Sequence, residues 1–447
     1  MRRALSVALV LALGVVSSPS ASSQWPAFRG PDAGAVADDP ALPDTWSETE
    51  NIVWKVPVPG LGWSSPVVWG DHVVITSAVS DGTEQRPITG LYDPGDENGS
   101  VKSANVHRWM VYDFDVKTGA LRWERELRRG PPPTARHLKN TFASETPIVY
   151  GRRIYVWMGA TGILAALDLS GRVEWVKEIG AFDGSSQFGS GGSPALHDGR
   201  LYVVHDNAKA SFLAAYDSRT GSELWRVPRD ETQSWATPLV WQNPVRTEIV
   251  TSGTNRVRSY DLAGRLLWEL RGMTILPTPS PFTRHGLVYV SSGYPGASPR
   301  PVYAVRSGAT GDITLKPEET SNAHIAWYQP LLGTYNTSAL VYGDYYYTLL
   351  DRGFLLCHDA RTGRQIYGRT RVSGESSGFT ASPWAYNGQI FLLSEDGDTF
   401  VIQAGPEYKL LRKNALGEMT MATPAVAQGS VFIRTQNHLL RIGKGAR

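Results

Sequence analysis

The side chains in this chain that are best suited to chemistry stand in short stretches next to hydrophobic strands. They combine cationic, amide and aromatic groups. Such a mixture would suit a planar, anionic or sugar-like ligand, because rings stack on flat faces while amides and cations satisfy polar edges. The alternative is that these groups satisfy one another and ordered water. The candidate ligand-binding residues are Trp63, His137, Lys139, Asn140, Gln187, Trp235, Tyr335, Asn336, Arg352 and Glu395.

His137 and Glu395 are the pair in this set that could serve as an acid and a base on one substrate. No phosphate-binding glycine loop or His-Glu-x-x-His helix occurs, and nine scattered His residues show no metal-ligand spacing. The stretch from Asp93 to Gly99 is rich in Asp but lacks the order and the terminal Glu of a calcium loop. The sequence therefore assigns no catalytic residue and no metal ligand.

A repeated element must position these stretches, and eight copies of it are visible. In each copy a Ser or Thr, followed by Pro or once by Ala, opens a hydrophobic, alternating pair of strands. The copies are 81, 47, 44, 43, 58, 44 and 41 residues apart, and five of these spacings lie close to the ~40–50 residues of a propeller blade. The sequence thus predicts an all-β fold, an eight-bladed β-propeller of four-stranded antiparallel blades. The copies begin at Ser65, Thr146, Ser193, Thr237, Ser280, Ser338, Ser382 and Thr423.

Each blade is expected to close with an Asp-initiated turn, a Gly and an aromatic residue. Asp and Thr side chains can bond to nearby backbone N–H groups in such a turn, while Gly takes the left-handed conformation. The regular position of the aromatic residue favours docking of each blade onto its neighbour over a ligand-stacking ladder. The aromatic residues are Trp123, Trp175, Trp225, Trp268 and Tyr367.

The last repeat has room for only three strands. The first follows Thr423-Pro424, and two more fit before Arg447. The segment from Ile52 to Pro57 matches the fourth strand of the third repeat, Glu223 to Pro228. The N-terminal strand is therefore predicted to complete the last blade. Closing the ring in this way removes the exposed edge of an open sheet.

The strand order also predicts where a site lies. If each first strand runs from face one to face two, the blade-linking loops and the loops between second and third strands emerge on face one. The insertion at 80–107, the loop from Gly293 to Arg300 and part of the excursion from Asp312 to Gly333 would then lie there. Loops clustered at one end of a rigid scaffold are where binding is usually found.

The charges nearly cancel, with 44 Lys+Arg against 42 Asp+Glu, so nucleic acid is not an expected partner. Arg2-Arg3, a mainly apolar stretch of thirteen residues from Ala4 to Val16 and small residues up to Ser23 predict a secretory signal peptide. That stretch is too short to span a bilayer, so no transmembrane segment is expected in the mature chain. No lipid-attachment Cys follows it, and a periplasmic or secreted protein is predicted. The single Cys357 permits no internal disulfide and is expected to be buried.

The predicted organisation is a signal peptide at 1–23, an N-terminal extension at 24–50 and a propeller at 51–447 with a first-blade insertion at 80–107. A monomer is expected.

The Asp-x-x-Thr-Gly-x-x-x-Trp turns resemble those of the pyrroloquinoline-quinone-like (PQQ-repeat) eight-bladed β-propellers, over almost the whole mature chain. Four further segments resemble a secreted bacterial subgroup of that superfamily, similar to propellers of the outer-membrane assembly factor BamB type. They are Trp25-Pro26-Ala27-Phe28-Arg29-Gly30-Pro31, Trp63-Ser64-Ser65-Pro66, His137-Leu138-Lys139-Asn140 and Ala143-Ser144-Glu145-Thr146-Pro147.

The resemblance implies two functions. The first is a periplasmic or secreted binding or scaffold propeller that needs no cofactor and holds a protein, peptide or glycan partner on the insertion-bearing face. BamB-type lipoproteins act in this way, although this chain lacks their lipid-attachment Cys. The alternative is a PQQ-dependent oxidoreductase, similar to alcohol or sugar dehydrogenases, with PQQ and Ca²⁺ in the central funnel. Against it, one Cys cannot form the disulfide lid of the alcohol dehydrogenases, and their metal-ligand triad finds no matching positions.

Overall fold

The computed structural model describes residues 23–90 and 99–445. The predicted signal peptide up to residue 22 and the Asp-rich stretch at 93–98 lie outside the described residues. Every regular element within the described ranges is a β-strand, and no helix there could serve as a membrane span.

The predicted eight-bladed propeller of four-stranded antiparallel blades is confirmed. Blade one comprises Val67–Trp69, His72–Ser80, His107–Asp115 and Leu121–Gly130, and blade two comprises Ile148–Tyr150, Arg153–Met158, Ile163–Asp168 and Val173–Glu178. Blade three comprises Ala195–His197, Arg200–His205, Ser211–Asp217 and Glu223–Arg229, and blade four comprises Leu239–Gln242, Thr247–Ser252, Arg256–Tyr260 and Leu266–Arg271. Blade five comprises Phe282–Arg284, Leu287–Ser291, Val302–Arg306 and Ile325–Gln329, and blade six comprises Leu340–Tyr342, Tyr345–Leu350, Phe354–Asp359 and Gln365–Arg371. Blade seven comprises Trp384–Tyr386, Gln389–Leu393, Asp398–Gln403 and Leu410–Ala415, and blade eight comprises Ala425–Ala427, Ser430–Arg434, His438–Gly443 and Ile52–Pro57. Two short strands, Ser100–Val101 and Arg136–His137, pair with each other, and Gly311–Asp312 joins the edge of blade four.

The ring is closed by the N-terminal strand, as predicted. Ile52–Pro57 runs antiparallel to His438–Gly443, with Val56 opposite Leu439 and Trp54 opposite Arg441. The last blade is therefore built from both ends of the propeller sequence, which leaves the ring without an unpaired seam between its first and last repeats.

Apolar side chains fill the space between neighbouring blades. Because side chains alternate across a strand, Val73 belongs to the core shared with blade eight whereas Val74 belongs to the core shared with blade two. Cys357 is buried in the same way between blades six and seven, and burial raises its pKa to about 12. It is a small apolar core residue, as expected.

A tryptophan of the fourth strand docks each of five blades onto the next. Its indole N–H donates to a backbone carbonyl in the following blade's Asp-Gly turn, and the turn's glycine lies against the ring. A Cβ on these glycines would stand 2.6–2.9 Å from the indole, so the close approach itself requires Gly. The pairs are Trp54 with Gly119, Trp123 with Gly171, Trp175 with Gly221, Trp225 with Gly264 and Trp327 with Gly363.

Trp268 departs from the predicted belt. Its indole N–H donates to Glu248 within its own blade, at 2.8 Å. The reason is the long connection between the third and fourth strands of blade five, where Gly311–Asp312 pairs in parallel with Trp268 and Glu269. That connection lies on face two, whereas the other end of the excursion from Asp312 to Gly333 lies on face one, where Gly333 packs on Gly293. Trp327, which the sequence pattern did not single out, takes the docking position in blade five.

The N-terminal extension crosses the channel beside the inner strands. It begins at blades one and two, and it then contacts blades six and seven on the other side before entering blade eight. The part of the extension that makes the contacts given next, residues 25–36, is called the plug below. Its contacts are those of Trp25 with Val68, Pro26 with Val149, Arg29 with Ala339 and Ala35 with Ala385.

Candidate functional site

The eight repeat-opening hydroxyl residues form a ring around the central channel. In seven junctions the backbone N–H of one blade's Ser or Thr donates to the hydroxyl oxygen of the next, at 2.9–3.0 Å. A hydroxyl has one proton and two lone pairs, so accepting this bond leaves its proton to donate to a ligand or to water. The repeat that defines the fold therefore also lines the channel with donors.

The channel widens on face one into a cavity of about 200 Å³, called the funnel below. All eight ring hydroxyl residues line it. Seven of the ten candidate residues also do so, namely Trp63, His137, Lys139, Asn140, Trp235, Tyr335 and Asn336. Phe28 of the plug lines the cavity as well, so an aromatic residue of the plug forms part of its wall.

Two of the candidate residues lie elsewhere on face one. The Gln187 side chain turns back into its own loop, where it donates to Asp183 Oδ1 at 2.6 Å and to the Gly184 carbonyl. Arg352 lines a separate groove between blades five and six, together with Arg300 and Arg369.

Glu395, the last of the ten, stands behind the funnel wall and is paired with Lys139. Lys139 Nζ lies 2.5 Å from Glu395 Oε1, with side chains 11% and 1% exposed. The same carboxylate accepts the Thr380 hydroxyl at 2.6 Å and the Gly90 backbone N–H at 2.9 Å. Both carboxylate oxygens are thus engaged, and the charge of the one lysine in the funnel wall is neutralised.

His137 is a neutral imidazole in this arrangement. Its Nδ1 accepts the Lys139 backbone N–H at 3.1 Å, and its ring meets the edge of Phe188 at 4.7 Å. Burial, assisted by the charges of Lys139 and Arg136, lowers the pKa of His137 to about 4. The two groups considered as an acid–base pair are therefore a neutral ring and an ion-paired carboxylate.

The first-blade insertion lies along the rim of the funnel. Its described parts, residues 81–90 and 99–106, are called the strap below. The strap starts in blade one, reaches over blade eight to blade seven, and returns against the link to blade two. Its contacts are those of Arg86 with Asn437, Pro87 with Gln436, Gly90 with Glu395, Gln85 with Arg136 and Gly99 with Leu138.

Several lining residues were missed by the sequence-based prediction. Phe28, Phe188, Thr278, Thr380 and Met421 all contribute to the wall. The eightfold Ser/Thr step was noticed only as a strand marker, although its period already places all eight hydroxyls at equivalent positions. No comparable signal exists for Phe28, because the path of the plug is not part of the repeat.

A family model described as outer membrane protein assembly factor BamB matches residues 26–189 and 161–405. The chain belongs to the BamB family. The match covers most of the propeller, including the blades that carry Lys139 and Glu395. No curated protein sequence matches this chain.

Solved structures resemble the chain at the level of the fold. Quinohemoprotein alcohol dehydrogenase from Comamonas testosteroni is 12% identical with a TM-score of 0.56, over 95% of this chain and 81% of that one. The computationally designed Ika8 protein is 13% identical with a TM-score of 0.52, over 81% and 98%. BamB from Moraxella catarrhalis is 13% identical with a TM-score of 0.41, over 88% and 99%. At these identities the likeness concerns the propeller alone.

The residues around the funnel do not fit a calcium-bound quinone. Calcium takes six to eight oxygen ligands, with carboxylates prominent among them. Glu395, which stands behind the funnel wall, is engaged by Lys139, Thr380 and Gly90. Within residues 23–90 and 99–445, no three His, Cys, Asp or Glu side chains converge as a metal-binding group.

Proposed function

We propose that the protein is a periplasmic or secreted binding propeller that holds a protein, peptide or glycan partner on face one and performs no catalysis itself. The observation that carries this proposal is the funnel, a preformed concave surface of aromatic rings, amides and ring hydroxyls. Such surfaces bind by stacking and hydrogen bonding. Of the two groups that could serve in acid–base chemistry, Glu395 is ion-paired with Lys139, and His137 Nδ1 accepts the Lys139 backbone N–H.

Membership in the BamB family supports a binding role in the cell envelope. The rigid ring holds the strap, the blade-linking loops and the funnel on one face, which is how loop-borne binding surfaces are usually presented. The partner is expected to contact the side of the rim formed by blades three to six, because the described parts of the strap occupy blades seven, eight, one and two.

Site-specific photo-crosslinking in cells tests this proposal. Benzoylphenylalanine replaces Trp235 at the funnel, or Tyr150 on face two as the matched control. We expect a discrete adduct from the Trp235 position alone, and protease digestion and periodate staining then separate a protein or peptide partner from a glycan. Equal crosslinking at both positions, or none at Trp235, would contradict the proposal.

Titration of the purified protein with PQQ and Ca²⁺ tests the oxidoreductase alternative. A ligand present at 100 times its Kd stabilises the native state by about 2.7 kcal/mol. We expect no change in Tm and no quinone absorbance shift. A saturable rise in Tm with both additives would favour the oxidoreductase over the binding propeller.

A further inference from the structure

Three arginines converge on one groove of face one, away from the funnel. Arg300, Arg352 and Arg369 line a space of about 350 Å³ between the loop at 293–300 of blade five and the strands of blade six. Within the described residues, no ion pair involves any of the three, although many other arginines of the chain are paired. Like charges placed together repel, so this cluster favours an anionic occupant.

The lining of the groove contains one carboxylate of its own, Asp351. Asp351 is buried, with 9% of its surface exposed to solvent. Burial raises the pKa of Asp351, against the opposing effect of the charges of Lys139, Arg352 and Arg300. A single buried acid beside three guanidinium groups leaves the groove with an excess of positive charge.

The wall of the groove is rigid. Arg300 N–H donates to the Pro330 carbonyl at 2.7 Å, and Gly333 N–H donates to the Arg300 carbonyl at 2.8 Å. These bonds tie the loop at 293–300 to the link into blade six. Gly293 packs so closely on Gly333 that a Cβ on Gly293 would stand 2.3 Å from the Gly333 carbonyl oxygen. The groove is therefore formed before any ligand arrives, which lowers the cost of ordering on binding.

Apolar surface lies beside the positive charge. Leu331 is 57% exposed at the edge of the groove, and Pro295, Ala297 and Leu350 contribute to its lining. An inorganic phosphate ion would bind the guanidinium groups and leave this apolar surface exposed to solvent. A peptide that carries both carboxylates and apolar side chains would cover both.

We infer that this groove binds an acidic peptide segment of the partner, with Asp or Glu carboxylates on Arg300, Arg352 and Arg369 and a neighbouring apolar side chain on Leu331. Guanidinium groups suit carboxylates because they offer paired, planar N–H donors. The groove joins the funnel rim, since Tyr294 of its loop meets Tyr335 of the funnel edge to face at 5.5 Å. The inference rests on the proposed function, because it names the chemistry of the partner that face one would hold.

Fluorescence anisotropy with the purified full-length protein tests the inference. The probe is a fluorescein-labelled peptide, Asp-Glu-Leu-Asp-Glu-Leu-Asp-Glu, and its controls replace the acids with Asn and Gln or both Leu residues with Ser. The groove variant is Arg352→Gln/Arg369→Gln, at two exposed positions. The matched control, Arg152→Gln/Arg219→Gln, removes the same charge from exposed turns of face two.

We expect the groove variant to bind the acidic peptide at least tenfold more weakly, the face-two variant to stay within twofold of the unmodified protein, and both to keep the same Tm. The Asn/Gln peptide should lose binding, and the Ser peptide should bind at least threefold more weakly. Equal losses in the two variants would overturn the inference, as would tight binding of the Ser peptide that inorganic phosphate displaces. A crosslink at the Trp235 position without peptide binding would reject the groove and leave the proposed function standing.

Discussion

Lys139 and Glu395 form an ion pair at the funnel wall, although 256 residues separate them in the chain. Lys139 comes from the link between blades one and two, and Glu395 from a turn of blade seven. The strap joins the same pair through Gly90. One buried contact therefore connects the first-blade insertion, the funnel wall and the far end of the repeat array.

Removing one partner of this pair should be costly. Lys139→Met leaves the Glu395 carboxylate buried without its counter-charge, and we expect a loss of about 3 kcal/mol in the free energy of unfolding. Urea denaturation measures the loss. The double variant Lys139→Met/Glu395→Gln should recover most of it, because the uncompensated charge is gone. A double variant as unstable as the single one would contradict this account.

The docking of each fourth-strand tryptophan on a glycine of the next blade can be tested with two glycines of blade three. Gly199 and Gly221 both have a φ of +70°. A Cβ on Gly199 would meet nothing closer than 3.9 Å, whereas one on Gly221 would stand 2.6 Å from the Trp175 ring. Gly199→Ala should cost only the left-handed strain, about 1 kcal/mol. Gly221→Ala should lower the free energy of unfolding by at least about 2 kcal/mol more, since the Trp175 ring must move. Equal losses of unfolding free energy in chemical denaturation would argue against this docking contact.

Ring closure depends on the N-terminal strand. Trp54 is 8% exposed and its indole N–H donates to the Val116 carbonyl at 3.0 Å, while Val53 in the same strand is 40% exposed. Trp54→Ala should destabilise the protein by about 3–5 kcal/mol. Val53→Ala, the control, should change stability by less than about 0.5 kcal/mol. Deletion of residues 51–59 should leave the protein insoluble or markedly less stable, and an unchanged Tm in that deletion would count against closure.

Glu145 should make stability fall as pH rises. Its side chain is buried beside the channel, where Gly159 N–H donates to Oε1 at 3.0 Å, and burial raises the pKa of Glu145 from 4.5 to about 7. Between these two values the unfolded chain has lost the proton that the folded protein keeps. Raising the pH through this window therefore destabilises the folded protein, by about 3 kcal/mol in total.

Glu145→Gln tests this effect, because the amide is a neutral substitute for the protonated acid. Histidines titrate in the same range, so the quantity to measure is the difference in unfolding free energy between the variant and the unmodified protein, at pH 5 and at pH 8. We expect the variant to gain stability relative to the unmodified protein on going from pH 5 to pH 8. The same difference at both values would show that Glu145 is ionised in the folded protein throughout.

The repeat architecture was predictable from the sequence because it is written in local signals. A hydroxyl residue and Pro before each inner strand, an Asp-Gly turn and a fourth-strand aromatic residue are each interpretable within one blade. The match between Ile52 to Pro57 and an internal fourth strand was likewise enough to predict closure, and the pairing with His438–Gly443 confirms it. Face one followed from strand order alone.

The tertiary structure decided what no single repeat encodes. The ring's curvature sets which blade-linking loops converge, and so it brings Lys139 to Glu395 and places Arg352 and Arg369 of blade six beside Arg300 of blade five. The path of the plug across the channel, which puts Phe28 in the funnel wall, depends on contacts with four blades at once. Periodicity determines what each blade repeats, whereas contacts across the channel depend on the distances between blades, and a local pattern does not carry those distances.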